Sequence, residues 1–218
     1  MELAAIHQAR VMAFVEPIDL NPNGKVFYPD LVKALVARYD FQKFPQSVQD
    51  FDEEKGVTFA VGHFAGTVIE EFIIYTYGLM LDTRTSTKES KRLLEEAMHW
   101  ASKELGLACK PAKRWQYASQ LTFYSKLLLT NGHSAFRRLA EGTAKAVNET
   151  LGENRTYELT SIFIDYDQLE RKHALGRFSI QRRDNTPFSE NKYFSDAPLP
   201  TDLHIALLEQ FEADLSHN

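Results

Sequence analysis

A polar signature occurs twice in this chain, 114 residues apart, and it favours folds that can build the same strand–turn–helix corner two times over. Asp82 is matched by Asp196, Thr87 by Thr201, Leu93 by Leu207, Leu94 by Leu208 and Glu95 by Glu209, and apolar Met80 stands opposite Phe194. Asp and Thr at such a corner can satisfy the free N–H groups of a helix's first turn, and Leu-Leu-Glu continues the helix. Leu-Leu-Glu is also common helix grammar, so two explanations stand side by side: an internal duplication, or two independent helix starts built from the same vocabulary.

The order of elements around the two signatures agrees with them. In the first pass a strand over 10–15 is followed by a turn at Asn21-Pro22-Asn23-Gly24 and a helix over 29–39, with Pro29 in the first turn and Leu31, Val32, Leu35 and Val36 on one side. A polar, acidic stretch fills 45–55. Strands follow over 57–63, 68–75 and 79–82; the second is β-branched and aromatic, and Tyr77-Gly78 turns it tightly into the third. A helix then runs from Ser86 or Thr87 to Leu105 and stops at Gly106, with Leu93, Leu94, Ala97, Trp100 and Ala101 as its apolar stripe. In the second pass a strand over 115–124 precedes a helix over 134–151 whose apolar face is Phe136, Leu139, Ala140, Thr143, Ala144 and Val147. Strands are expected over 156–166 and 175–183, a loop over 185–191, a short strand over 192–195 and a last helix over 201–215.

The fold class is therefore α+β: two similar β-α-β-β-β-α halves, 1–108 and 115–218, forming one compact unit with 109–114 as linker. One such half is marginal alone, so the expected arrangement is antiparallel sheet with helices on one face, pseudo-twofold if the halves pair edge strands.

Composition narrows the function classes. The net charge of −5 disfavours nucleic acid and anionic membrane surfaces as partners. A lone Cys109 excludes an intrachain disulfide and a multi-thiolate zinc site. No apolar run reaches the length of a membrane span and no signal segment is visible, so the expected location is cytoplasmic. The chain carries no P-loop, no Gly-x-Gly-x-x-Gly, no Gly-x-Ser-x-Gly and no His-Glu-x-x-His, and its seven histidines are scattered. No catalytic residue, cofactor or metal is called for.

Three features remain. The segment Asp82-Thr83-Arg84-Thr85-Ser86-Thr87 joins a strand to a helix N-terminus, where N–H groups and the helix dipole attract anions; Arg84, Thr85, Ser86 and Thr87 can hold a phosphate or carboxylate, or the hydroxyls can simply cap the helix. The long stretch 182–201 combines Arg182, Arg183, Asn191, Lys192 and Tyr193, which can meet a ligand, or its Phe188, Tyr193 and Phe194 can fold down as a lid on the core. The acidic run 50–55 reads as a solvated loop. With no motif and with aromatics at 12%, the expected function is that of a non-enzymatic interaction or adaptor protein, or an assembly subunit, binding a protein partner or its own kind through an open sheet face or edge. The alternative is an enzyme or small-anion- or nucleotide-binding protein with a site between the halves near 82–87 and 182–201.

Overall fold

A computed structural model of the chain describes residues 1–15, 21, 24, 26–50, 55–109, 111–131, 133–167 and 175–216. The elements are β1 (Glu2–Phe14), α1 (Tyr28–Tyr39), β2 (Val57–Phe64), β3 (Thr67–Tyr75), β4 (Gly78–Thr83), α2 (Thr87–Leu105), β5 (Arg114–Tyr124), α3 (Ser134–Leu151), β6 (Ser161–Ile164), β7 (Phe178–Arg182), β8 (Lys192–Ala197) and α4 (Thr201–Ser216), with short 3-10 turns between some of them. This is the expected α+β order of β-α-β-β-β-α, taken twice. The strands hydrogen-bond in the order β2-β3-β4-β1-β5-β8-β7-β6, and the pairs whose register is described are antiparallel. In each pass the first strand lies beside the last.

By its internal packing the chain divides into two units of comparable length. One comprises Ile6–Ser119 and Leu199–Asp202; the other comprises Met1–Ala5, Gln120–Pro198 and Leu203–Asn218.

In the first unit the β2–β3 hairpin closes through Ala65 and Gly66, both at positive φ (49° and 84°), which is the backbone a two-residue turn between right-twisted strands requires. Gly78 ends the next hairpin, and it also lets β1 approach: a Cβ there would sit 2.5 Å from the Ala13 carbonyl oxygen. Helix α2 begins at Ser86, whose hydroxyl accepts the Glu89 N–H at 3.1 Å, and ends at Gly106 with φ 71°. Its buried stripe includes Leu93, Leu94, Ala97 and Ala101 as expected; Met98 joins them and Trp100 is only half-buried. These side chains, with Val32, Leu35 and Tyr39 of α1, cover Ala13, Phe59, Phe72, Leu79 and Leu81 from the sheet. Rings of Phe41, Phe59 and Phe72 pack at centroid distances of 5.4 to 6.3 Å. The alternate residues of the same strands carry polar groups: Arg10 on β1 and Glu71 on β3 both stand opposite Asp82 on β4, and the Arg10 guanidinium bonds both carboxylates at 3.0 to 3.2 Å.

The second unit is held by a smaller core. Tyr193 of β8 stacks on Phe123 of β5 at 5.7 Å, and Leu121, Leu129, Ile180 and Leu208 are buried nearby in the sequence of elements. His204 of α4 is fully buried, with Nε2 2.7 Å from the Ser195 hydroxyl and its ring edge-on to Phe178.

Three expectations need correction. β1 starts at Glu2, not at 10, and stands between β4 and β5 in the strand order, so its length goes with having a neighbouring strand on either side. The strand expected over 156–166 contracts to Ser161–Ile164; ahead of it Asn148 brackets the Arg155 backbone with two hydrogen bonds and Glu158 bonds Arg182 on β7. The strand expected over 175–183 is Phe178–Arg182. Helix α3 has the expected bounds, and along its apolar face Ala140, Thr143, Ala144 and Val147 are half-buried whereas Phe136 and Leu139 are exposed. Residues 51–54 of the acidic run, Pro22, Asn23 and Lys110 lie outside the described residues.

Candidate functional site

Each cluster singled out in the sequence lies within one unit. In the first unit the corner 82–87 is built by β4 delivering the chain into α2. Asp82 is 5% exposed, accepts the Ala9 N–H at 3.2 Å and is clamped by Arg10; burial pushes its carboxyl pKa up and Arg10 opposes the shift. Arg84 pairs with Glu70 at 3.2 Å. The Thr85 hydroxyl meets that of Thr83 at 2.9 Å, and Thr83 in turn meets Ser90, which donates to the Ala9 carbonyl. Ser86 is the cap. Thr87 and Thr201, both buried, exchange hydrogen bonds: the Thr201 hydroxyl accepts the Thr87 N–H at 3.0 Å and the Thr87 hydroxyl accepts the Thr201 N–H at 2.9 Å. The donors with which a helix start would grip an anion are thus engaged by the chain itself at Thr87, Glu89 and Ser90.

In the second unit Arg182, Asn191 and Tyr193 come together. The Arg182 side chain is 5% exposed; it donates to the Phe188 carbonyl at 2.8 Å, to Asn191 Oδ1 at 3.1 Å and to Glu158 at 2.7 Å, and its guanidinium lies 4.9 Å from the Tyr193 ring and 5.1 Å from Phe188. The Tyr193 hydroxyl accepts the Leu129 N–H at 3.1 Å. Arg183 and Lys192 are turned elsewhere, Arg183 over Phe194 and Lys192 over Tyr124. The arrangement is a buried cation packed between aromatic rings and held by one carboxylate, and it pins the 3-10 turn Phe188–Glu190 onto β7. Asp196, the counterpart of Asp82, accepts from Gln120 at 3.4 Å where Asp82 has an arginine, and burial pushes its pKa up. In the acidic loop Asp50 accepts the Gln46 and Ser47 N–H groups, which lowers its pKa; it closes its own turn.

Two features had no clear signal in the sequence. The first is a cavity of about 270 Å³ inside the first unit, between α1, the C-terminal half of α2 and the β3–β4 hairpin. Tyr28, Leu35, Phe72, Met98 and Cys109 are among its walls, and none of the described residues lining it is charged. Burial pushes the Tyr28 hydroxyl up to about 12 and raises the Cys109 thiol, so both are neutral there.

The second is an imbalance in burial. Among the described residues, twenty-two buried hydrophobic side chains belong to the first unit and seven to the second. Of the large hydrophobic side chains left exposed, Phe27, Val61, Val68 and Tyr77 lie in the first unit and twelve others in the second. The second unit's exposed set includes Phe136 and Leu139 (68% exposed) on α3 and Phe163 and Ile164 on β6, the last strand in the order. Sequence periodicity placed the α3 stripe correctly but carries no information on whether anything covers it.

Among the described residues there is no grouping of His, Cys, Asp and Glu that can hold a metal ion, and no helix long and apolar enough to cross a membrane. No protein-family model and no curated protein matches this chain.

Proposed function

We propose that the chain is a non-enzymatic interaction protein, an adaptor or assembly subunit, that binds another protein through the apolar surface of its second unit. The observation that carries this reading is the burial imbalance: among the described residues, a unit with seven buried hydrophobic side chains leaves twelve large ones exposed. Monomeric proteins keep contiguous exposed apolar patches small, so exposed side chains that together form one patch would mark an interface. Two parts of this unit suit protein recognition. The α3 helix offers the exposed Phe136 and Leu139, which can lie in a groove or against another helix, and β6 ends the strand order, where β-strand addition would occur. The test is capture from a native lysate by the wild-type chain, by Leu139→Glu and Phe163→Glu variants, and by a Val68→Glu control in the first unit. The reading expects one stoichiometric protein lost with the two second-unit variants and kept with the control; equal capture by all four sinks it.

The alternative of an enzyme or anion-binding protein has less support. Arg84 is paired with Glu70 and Arg182 with Glu158, and the first-turn donors of α2 are satisfied as described above.

A further inference from the structure

The cavity of the first unit has no part in the surface just proposed, and its walls describe an occupant. Apolar cavities of roughly 150 Å³ stay dry and take up benzene. At about 270 Å³ this one has room for a molecule nearly twice as large. The geometry points to a binding site here for a small, uncharged aromatic molecule of about the size of two fused rings.

The ligand class follows from what lines the space. No described wall residue is charged, so the described walls offer an ionised ligand group no counter-charge. The Asn21 amide, at one end, already donates to the Val26 carbonyl at 3.0 Å and accepts the Val26 N–H at 3.3 Å. The remaining distinctive groups are rings and sulfur: Tyr28 and Phe72 offer aromatic surface, and Met98 and Cys109 place a thioether and a thiol in the same wall. Sulfur makes its favourable contacts with aromatic ring edges, and rings prefer offset or edge-to-face neighbours, so a flat aromatic guest uses these walls better than a saturated chain of the same volume. Ala97 and Ala101, one turn apart on α2, are the small residues that leave the space open.

Naphthalene is the probe. With the full chain, naphthalene at a hundredfold its Kd is expected to raise the thermal midpoint by roughly 5 °C and to slow alkylation of Cys109 by a maleimide at least tenfold. Ala97→Leu and, separately, Ala101→Leu put extra carbons into the cavity; each is expected to fold, to unfold at an equal or higher temperature, and to lose both responses. Pyrene, with four fused rings against the two of naphthalene, is expected to protect Cys109 in no variant. Absence of both responses in the wild-type protein overturns the inference. So does a naphthalene response that survives in the folded filling variants, because the molecule then binds elsewhere, and so does equal protection by pyrene, which needs no variant at all.

Discussion

Thr87 and Thr201 each accept the other's backbone N–H through their side-chain oxygens, at 3.0 and 2.9 Å, and both are buried. Each threonine is the first residue of its helix, α2 or α4, where the backbone donors have no partner within the helix. The pair therefore caps two helices at once, and it explains why the same residue type stands at two positions 114 apart. A hydroxyl acceptor at those sites is a structural requirement whether or not the two halves share an origin.

Replacing either threonine by valine keeps the volume and removes the acceptor. Thr87→Val leaves the Thr201 N–H buried without a partner, and Thr201→Val does the same to Thr87, so each is expected to cost about 1 to 3 kcal/mol in urea unfolding. Thr87→Ser and Thr201→Ser retain the oxygen and are expected to lose less than half as much. A valine variant as stable as its serine counterpart would show that the hydroxyls are not needed.

Glu158 neutralises the Arg182 guanidinium, whose side chain is 5% exposed. Glu158→Ala strips the counter-charge from a buried cation and is expected to cost about 3 kcal/mol, whereas Glu158→Gln keeps an acceptor and is expected to cost less. Denaturant midpoints at constant m-value measure both. The same variants test whether Arg182 is held for the fold: a loop 188–191 that loses protection from hydrogen exchange in Glu158→Ala follows from the bonds that Arg182 makes to Phe188 and Asn191.

How far these relations can be read from residues alone differs from one to the next. The β3–β4 hairpin, the Ser86 and Gly106 boundaries of α2 and the limits of α3 are local, set by turn chemistry, capping and periodicity, and they stand where the sequence places them. Arg182 in the sequence resembles a ligand-binding cation because nothing local shows that Glu158, 24 residues earlier, reaches it. The Asn148 bracket ahead of β6 joins residues seven apart and has no periodic signature. The cavity is bounded by side chains of α1, α2 and the hairpin that are far apart in the chain. Exposure of Phe136 and Leu139 at one end of the α3 stripe is likewise a property of the packing around them, and an amphipathic pattern is the same covered or bare.

His204 is fully buried and burial lowers its pKa from 6.5 to about 4. The unfolded chain takes up a proton near pH 6.5 that the folded chain refuses until about pH 4, so the stabilisation is intact above the upper value and is lost as pH falls towards the lower one, by about 3 kcal/mol in all. Asp82 and Asp196 act in the opposite sense, because their raised pKa values let the folded chain bind protons first as pH falls. The histidine contribution is therefore the difference between wild type and His204→Gln. That difference is expected to shrink between pH 7 and pH 4.5 in urea melts; a constant difference would contradict the assignment.

The second unit's bare apolar surface is the basis of the proposed function, and the mass of the particle tests it most directly. The tagged chain, isolated gently from its native lysate, is passed over a size-exclusion column with light scattering. The account predicts a defined mass above the 25.0 kDa of one chain, from a second copy or a stoichiometric partner, and a return to 25.0 kDa in the Leu139→Glu, Phe163→Glu double variant. A wild-type chain that elutes from that lysate as a bare 25.0 kDa monomer would contradict it.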